Sequence, residues 1–288
     1  AVMGYLIFDM FKKKEKKTIM ENRNYVLTDE TKNVDGRTLY RIKATRTIIS
    51  GFYTTKEGEL GGWVQGYHNL SGDAWVADDA CVYDDALVTG EVRVYGNAQV
   101  YGNAKVYGKT RVFGDARVYE NAQVYGIARV FFKARVYGNA QVSSSAVVCG
   151  KAKVYDNAQV TDGARVSGYV QVYCDAKVYG KARVNGNAWI TDKAQVYGNA
   201  NVYGDALVCE EAQVSDWATV YGNAMVYGKA KVSGSAYVYG NALVYGNTRV
   251  SGDAEVFGHS RVYENARVDG DALVFGDMRV SGVTHTFS

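Results

Sequence analysis

The histidines are the residues of this chain whose types and neighbours come nearest to a catalytic pattern. There are three of them, His68, His259 and His285. Histidine is the commonest general base because its pKa lies near neutrality. His259 follows two carboxylates in the stretch "GDAEVFGHSR", residues 252–261. It is therefore the one candidate catalytic base, to be weighed against the ordinary role of a solvated residue in a turn.

The other reactive side chains show no catalytic or metal-binding pattern. No serine forms a Ser-His-acid arrangement, and the glycines recur with one repeat instead of forming a phosphate-binding loop. The four cysteines are irregularly spaced, with no Cys-x-x-Cys pair and no metal-ligand partner nearby; they are Cys81, Cys149, Cys174 and Cys209. We expect no metal, no cofactor and four unpaired thiols, and hence a cytoplasmic protein, a phage particle being the other setting considered.

Charge and composition exclude further classes. The chain has 33 basic and 30 acidic residues, a net charge of +3, which is too balanced to indicate nucleic-acid binding. Its 288 residues include 32 glycines, 24 tyrosines and no proline. Glycine and β-branched residues are poor helix formers, so this composition favours an all-β protein.

The first 17 residues, "AVMGYLIFDMFKKKEKK", combine an apolar run with lysines. A secretory signal has its basic residues before the apolar run, and a membrane span needs about 20 apolar residues. We interpret residues 1–19 as a tail or an upstream extension, with Met20 as the working start. Contact of residues 1–17 with a membrane surface is the alternative that we do not favour.

A repeat of six residues dominates the rest of the chain. Of the 37 positions that lie six apart from Val64 to Val280, 35 are valine and the others are Leu70 and Ile190. Of the 35 positions from Ala74 to Met278, 29 are alanine. No residue is inserted or lost between them, so the period must specify the fold.

The spacing indicates strands separated by corners. In "A-Q-V-Y" the alanine and valine are two residues apart and share one face of a strand, while the residue between them points outward. The pairs that follow, such as "GN" and "GD", are turn formers that tolerate a positive φ. A single short strand cannot bury its apolar side, so successive coils must stack and share a narrow core.

Ala-x-Val followed by a small-residue corner, at period six, resembles the hexapeptide repeat of left-handed parallel β-helices. The resemblance implies a triangular solenoid of about twelve 18-residue coils, made from one chain, and it alone supplies the left-handed sense. The stretch "GELGGWVQGYHNLSGDAWV", residues 58–76, is similar to the lead-in of bacterial and phage hexapeptide-repeat proteins, often labelled acyltransferases. Here the residue after each inward aliphatic is mostly tyrosine, where that family has a small or acidic residue.

Upstream, two β-rich runs flank the turn-forming "TKNVDGR", residues 31–37, and predict a hairpin. We expect this hairpin to cover the open edge of the first coil, because an uncovered edge invites aggregation. The resulting division is a β-hairpin cap at 20–57, a β-helix at 58–283 and a C-terminal tail at 284–288.

The resemblance also implies a function, acyl transfer from coenzyme A or an acyl carrier protein. Enzymes of that family are typically trimers with a histidine beside a cleft and a loop between coils. His68 falls at an inward slot of the repeat, which predicts a structural residue and leaves His259 as the only base. The unbroken period leaves no loop to enclose a substrate, so an acyltransferase-like enzyme, active or lapsed, is the alternative interpretation.

Folding the sequence by eighteen residues gives three outer faces. The first face carries a ladder of tyrosines beside glutamine and basic residues, namely Tyr101, Tyr119, Tyr137, Tyr155 and Tyr173. The second face includes Phe113, and the third face includes Lys105. Rings one strand apart can stack, which contributes about 0.5–1.5 kcal/mol for each pair beyond burial.

The C-terminal half of two faces is more apolar. On the first face Trp189, Leu207, Met225 and Leu243 follow one another at outward positions, with Tyr227 and Tyr245 beside them. The second face adds Tyr237, Tyr239, Phe257 and Phe275. Exposed apolar patches usually mark an interface, so we expect a homo-oligomer, a dimer or trimer, through this half.

We therefore interpret the chain as a non-catalytic structural or binding rod that displays tyrosine ladders for self-association or for a ligand. A carbohydrate is one such ligand, because planar aromatic rings beside Arg, Gln and Asn suit sugars.

Overall fold

A computed structural model describes residues 24–50, 53–282 and 285–286, and within these ranges every regular element is a β-strand. No helix in them has the length and apolarity needed to cross a membrane. The interpretation of residues 1–19 as a tail or extension, and that of residues 1–17 as a membrane contact, falls outside the described residues.

Each hexad from Leu70 onward adds one short strand to one of three sheets in turn, and each strand pairs in parallel with the strand 18 residues later. Gln99 lies opposite Arg117, Lys105 opposite Gln123, and Arg111 opposite Arg129. The prediction of an all-β parallel solenoid with 18-residue coils, about twelve of them, is confirmed. The left-handed sense stays a prediction.

The first face is a 15-stranded sheet. It begins with β1 (Tyr25–Val34), β2 (Arg37–Ala44) and β5 (Leu60–Val64), β3 and β4 being the short strands Ile48–Ser50 and Tyr53–Thr55 of a separate hairpin. Its remaining strands are Cys81–Val82, Gln99–Val100, Arg117–Val118, Arg135–Val136, Lys153–Val154, Gln171–Val172, Trp189–Ile190, Leu207–Val208, Met225–Val226, Leu243–Val244, Arg261–Val262 and Arg279–Val280.

The other two faces are 12-stranded sheets. The second face contains Trp75–Val76, Arg93–Gly96, Arg111–Gly114, Arg129–Val130, Val147–Val148, Arg165–Val166, Arg183–Val184, Asn201–Val202, Thr219–Val220, Tyr237–Val238, Glu255–Val256 and Leu273–Val274. The third face contains Leu87–Val88, Lys105–Val106, Gln123–Val124, Gln141–Val142, Gln159–Val160, Lys177–Val178, Gln195–Val196, Gln213–Val214, Lys231–Val232, Arg249–Val250, Arg267–Asp269 and His285–Thr286.

The core is the stack of inward valines and alanines that the period predicts. Val142 lies between Val124 and Val160 on neighbouring coils, and all three side chains are fully buried. Full burial of such an aliphatic side chain contributes about 1.5–3 kcal/mol. At Thr110, where threonine replaces alanine, the hydroxyl donates to the carbonyl of Tyr107 at 2.8 Å. The solenoid is thus held together by one continuous apolar column.

Backbone hydrogen bonds run along the axis and continue through the corners. Lys105 N–H donates to the carbonyl of Ala122 at 2.9 Å, and Lys109 N–H, at a corner, donates to the carbonyl of Gly126 at 2.7 Å. The corner residue before such a donor has a positive φ. At Gly168 φ is +79°, and a Cβ there would lie 2.6 Å from the carbonyl oxygen of Gly186. Glycine recurs because the coils approach this closely.

The predicted hairpin cap is present. Asp35 and Gly36 both have positive φ, as a two-residue hairpin turn requires, and join β1 to β2. Strand β2 pairs antiparallel with β5, the first strand of the solenoid, so that Tyr40 lies opposite Val64. Ile42 is fully buried in the same cluster as the valine column. The hairpin therefore closes the N-terminal end of the core.

The second hairpin, β3–β4, lies against the second face. Ser50 Oγ donates to the carbonyl of Glu91 at 2.9 Å, and Tyr53 packs on Tyr95 with ring centroids 6.1 Å apart. Arg93 is only 5% exposed and donates from Nη1 to Thr55 Oγ1 at 3.0 Å. Burial lowers the pKa of Arg93. These contacts fix the chain between the cap and the coils.

Candidate functional site

The tyrosine ladder on the first face forms as a continuous stack. The rings of Tyr101 and Tyr119 are nearly parallel, with centroids 4.9 Å apart. The pairs Tyr119–Tyr137, Tyr137–Tyr155 and Tyr155–Tyr173 repeat this arrangement at 4.9–5.0 Å. Stacking at the strand spacing leaves each ring half-buried between its neighbours. The ladder is therefore part of the wall of the rod, with ring edges and hydroxyls facing outward.

The ladder hydroxyls are tied to the neighbouring column of side chains. Tyr155 Oη donates to Gln171 Oε1 at 3.2 Å, and on the third face Tyr179 Oη donates to Gln195 Oε1 at 3.1 Å. Burial, followed by the neighbouring phenol Tyr137, raises the pKa of Tyr119 and of Tyr155 to about 12. These rings are neutral and well ordered near physiological pH.

Two small residues interrupt the ladder after Tyr173. Thr191 and Cys209 occupy the next two positions, and the stack resumes with Tyr227 and Tyr245 at 4.8 Å. The indole of Trp189 meets Tyr173 edge to face at 6.4 Å. Trp189 thus stands where the first, polar half of this face ends.

The four apolar residues expected on the first face lie on adjacent strands. Trp189 is opposite Leu207, Leu207 opposite Met225, and Met225 opposite Leu243. Trp189 is 46% exposed, whereas the other three are half-buried. We name these four residues the apolar strip.

The aromatic residues expected on the second face also stack. Tyr239 lies 4.9 Å from Phe257, and Phe257 lies 5.8 Å from Phe275. Phe275 is 49% exposed and Tyr237, in the neighbouring column, is 42% exposed. The apolar strip and this stack flank the same corner of the rod.

Between these two faces, nearer the middle of the rod, lies a groove that the sequence analysis missed. Its corner side carries Lys133 and Lys151 and then Tyr169; its first-face side carries Arg135 and Lys153 and ends at Trp189. The cavity has a volume of about 510 Å³, and none of its lining residues is acidic. We name it the basic groove. Its corner residues follow no apolar pattern, and only folding the corner positions by eighteen would have revealed them.

One contact inside the basic groove orders a lysine. Lys151 Nζ donates to Tyr169 Oη at 2.8 Å and lies 4.6 Å from the centroid of that ring. This hydrogen bond, followed by the lysine charge, lowers the pKa of Tyr169. Tyr169 is 58% exposed, so the pair lies at the surface of the groove.

Six segments of the chain match the family model described as YdcK Beta solenoid repeat. The matched residues are 98–112, 110–126, 134–150, 194–210, 218–234 and 236–252. They resemble YdcK β-solenoid repeats. No curated protein matches the chain. The chain is thus a β-solenoid repeat protein, and the matched segments include Arg135 of the basic groove and Leu207, Met225 and Leu243 of the apolar strip.

His68 and His259 lie near opposite ends of the solenoid. His259 is exposed at a corner, where its backbone N–H donates to the carbonyl of Gly276 at 2.7 Å. In the described part of the chain its ring makes no hydrogen bond or ion pair, so the carboxylates before it in sequence do not orient it. The side chain of His285 lies outside what is described.

The predicted inward position of His68 is wrong. His68 is exposed and its Nε2 lies 2.9 Å from the carbonyl oxygen of Asp84. Asn69 is the fully buried residue, and its side-chain amide donates to the carbonyls of Asp84 and Ala86, both at 3.0 Å. The amide of Asn69 thus supplies a hydrogen bond that a backbone N–H supplies in later coils.

The cysteines are free, as expected. Cys81 is buried beneath the hairpin cap, in a cluster with Leu39 and Tyr83. Cys209 occupies the interruption of the ladder, where burial, followed by Glu210 and Asp192, raises the pKa of its thiol to about 11. In the described residues no group of three or more histidines, cysteines and carboxylates is arranged to hold a metal ion.

Proposed function

We propose that this β-solenoid is a non-catalytic structural and binding rod that self-associates through the C-terminal half of its first and second faces. The observation that carries the proposal is the continuity of the coil from Val64 to Val280: along this part of the chain each inward residue lies opposite the one 18 residues later. Functional loops are what enzymes built on such scaffolds use, and here the corners are two-residue turns. The side walls of the solenoid are therefore the surfaces available for binding.

The apolar strip supports the self-association. Earlier strands of the same sheet carry Arg117, Arg135 and Lys153 at the outward position, which shows that this position accepts charge. From Trp189 to Leu243 the chain instead has apolar side chains at four successive positions. Contiguous apolar surface of this kind marks interfaces between proteins.

The test is the oligomeric state of a variant in which Leu207→Lys and Leu243→Lys are combined. Lysine fits the outward position, so the coil should fold, and we expect the wild type to form a dimer or trimer that the variant does not form. Multi-angle light scattering over a range of concentrations measures both. The matched control combines Gln123→Lys with Gln159→Lys on the third face, two coils apart as Leu207 and Leu243 are and not directly opposed, and should associate like the wild type. A wild type that is monomeric throughout would refute the self-association.

The alternative is an acyltransferase-like enzyme, which, like a bacterial or phage origin, rests on the resemblance of the repeat. It requires coenzyme A compounds to stabilise the protein against heat and His259→Ala to abolish turnover. We expect neither effect. A cytoplasmic location is also part of the proposal, and four free cysteines support a reducing compartment.

A further inference from the structure

The basic groove concentrates like charges that the fold does not require. Arg135 lies directly opposite Lys153 on the neighbouring coil, and the corner residues Lys133 and Lys151 are related by the same 18-residue step. Like charges on directly opposed residues of adjacent strands are destabilising. Elsewhere in the same column the chain has Gln99 and Gln171. Neutral residues are therefore compatible with this position, and the four cations lower stability without a structural need.

None of the ion pairs in the described residues involves these cations. The ion pairs of the described structure lie in the first coils and the cap, such as Arg37–Asp84 at 2.7 Å and Lys109–Glu91 at 3.1 Å. Asp115 and Asp205 lie in the corner column of the groove, one coil before Lys133 and one coil after Asn187, whereas Asp156 and Asp192 lie at the opposite edge of the first face. The four cations that line the groove are thus free to bind an anionic partner.

The far end of the basic groove offers a planar apolar surface and a matched pair of amide groups. Trp189 is 46% exposed and its ring is held by Tyr173. Gln171 accepts from Tyr155 through Oε1, which leaves its NH₂ group as a donor. Asn187 donates from Nδ2 to Asp205 Oδ1 at 2.9 Å, which leaves its Oδ1 as an acceptor. A donor and an acceptor that line the same groove suit a hydroxyl group, which is both.

We propose that the basic groove binds an acidic saccharide, with its carboxylate or sulfate groups on Lys133, Arg135, Lys151 and Lys153 and one sugar ring against Trp189. The groove extends over four coils, three strand spacings of about 4.8 Å, so it fits a short oligosaccharide or a segment of a longer chain. The inference rests on the proposed binding role of the side walls, but it does not depend on self-association.

A single-stranded nucleic acid fits the basic groove less well. Proteins that bind single strands stack successive bases on successive aromatic rings. The groove lining has two aromatic rings, Tyr169 and Trp189, and Lys151 covers one face of Tyr169, so it offers no continuous series of stacking rings. The hydroxyl-binding pair Gln171 and Asn187 also favours a sugar over a base and phosphate.

Calorimetric titration of the full chain with a sulfated heparin hexasaccharide and with tri-galacturonate, a carboxylated sugar, tests the proposal. We expect one or both to bind, with an affinity that falls as salt is raised. Neutral dextran should not bind, and oligo(dT) should bind at least tenfold more weakly. The proposal is overturned if neither acidic sugar binds at low salt, or if oligo(dT) binds as tightly.

Two variants localise the site. Lys133→Gln combined with Lys151→Gln should weaken the affinity at least tenfold and reduce its dependence on salt, since two ion contacts are lost. Trp189→Ala should weaken the affinity and leave the salt dependence unchanged. The matched control, Lys177→Gln with Lys231→Gln, removes the same charge from the third face and should bind like the wild type. If the control loses as much affinity as the groove variant, the site is elsewhere.

The same samples separate this inference from the proposed function. The Lys133→Gln, Lys151→Gln variant should keep the oligomeric state of the wild type in light scattering. Failure of saccharide binding with intact self-association rejects the groove alone, whereas a monomeric wild type that binds the sugar rejects the self-association alone.

Discussion

Asp162 accepts a hydrogen bond through Oδ2 from the backbone N–H of Gly180, its equivalent residue one coil later, at 3.1 Å. Asp162 has a φ of +57°, a conformation that glycine adopts at most corners. Asp156 and Asp216 repeat the arrangement, accepting from Cys174 at 3.2 Å and Gly234 at 3.2 Å. A carboxylate at a corner thus forms a hydrogen bond that stabilises the contact with the next coil, while its positive φ adds backbone strain.

This exchange can be measured at Asp162. We expect Asp162→Ala to lower the free energy of unfolding by about 1 kcal/mol, because alanine keeps the positive φ and loses the hydrogen bond. In Asp162→Gly the relief of backbone strain, about 1 kcal/mol, offsets that loss, so stability should stay close to that of the wild type. Urea unfolding gives both values. The explanation fails if glycine is as destabilising as alanine.

Neighbouring corner glycines distinguish strain from close packing. A Cβ at Gly258 would lie 2.8 Å from the backbone nitrogen of Gly276, whereas a Cβ at Gly276 has nothing within 4 Å. Both residues have positive φ, +76° and +61°. Gly276→Ala should therefore cost about 1–2 kcal/mol from strain alone. Gly258→Ala should cost about 1–3 kcal/mol more, as overpacking does. If denaturant unfolding gives the same loss in the free energy of unfolding for both variants, the coils must move apart enough to accommodate the added methyl group.

The sequence predicts the core because each inward position is constrained on every side. Val142 meets Val124 and Val160, so its size and shape are fixed by identical neighbours, and a strict period results. The period also predicts the order of the strands and the tyrosine ladder. It fails at His68 and Asn69, where the coil begins: one side of that turn meets the cap, and a side-chain amide replaces a backbone donor.

The candidate surfaces are harder to predict, because an outward side chain is constrained on two sides only. Leu207 and Leu243 are half-buried between long neighbours, although their positions point outward. The basic groove combines corner residues such as Lys151 with face residues such as Lys153, which are two apart in sequence but belong to different columns. Their meeting follows from the bend at the corner, which hydrophobic periodicity does not record.

The ladder tyrosines predict a loss of stability at high pH. Burial is the main cause that raises the pKa of Tyr119, Tyr155 and Tyr239 to about 12. Above pH 10, the ordinary value, the unfolded chain releases these protons and the folded chain keeps them, so unfolding becomes more favourable as pH rises. The contribution is complete below pH 10 and is lost between about pH 10 and 12.

Tyr119→Phe combined with Tyr155→Phe tests this pH dependence, because phenylalanine keeps the stacking and removes the titrating groups. We expect the double variant to lose less stability than the wild type between pH 9 and pH 11.5 in urea unfolding monitored by circular dichroism. Tyr169→Phe is the control, since Lys151 lowers the pKa of Tyr169 and its removal should not reduce the alkaline loss. An unchanged slope in the double variant would show that the ladder is not the source.

The cysteines predict an order of reactivity towards a thiol reagent. Cys81 is 2% exposed beneath the cap, and burial raises the pKa of its thiol; the pKa of Cys209 is raised to about 11. Because the thiolate is the reactive form, Cys209 should react slowly with Ellman's reagent at pH 8 and faster towards pH 11. Cys81 should react only when the cap opens. Mass spectrometry of the labelled peptides assigns each rate to a residue.

Denatured protein that has not been reduced should give four thiols, since the four cysteines lie on different coils; two or fewer would contradict this placement.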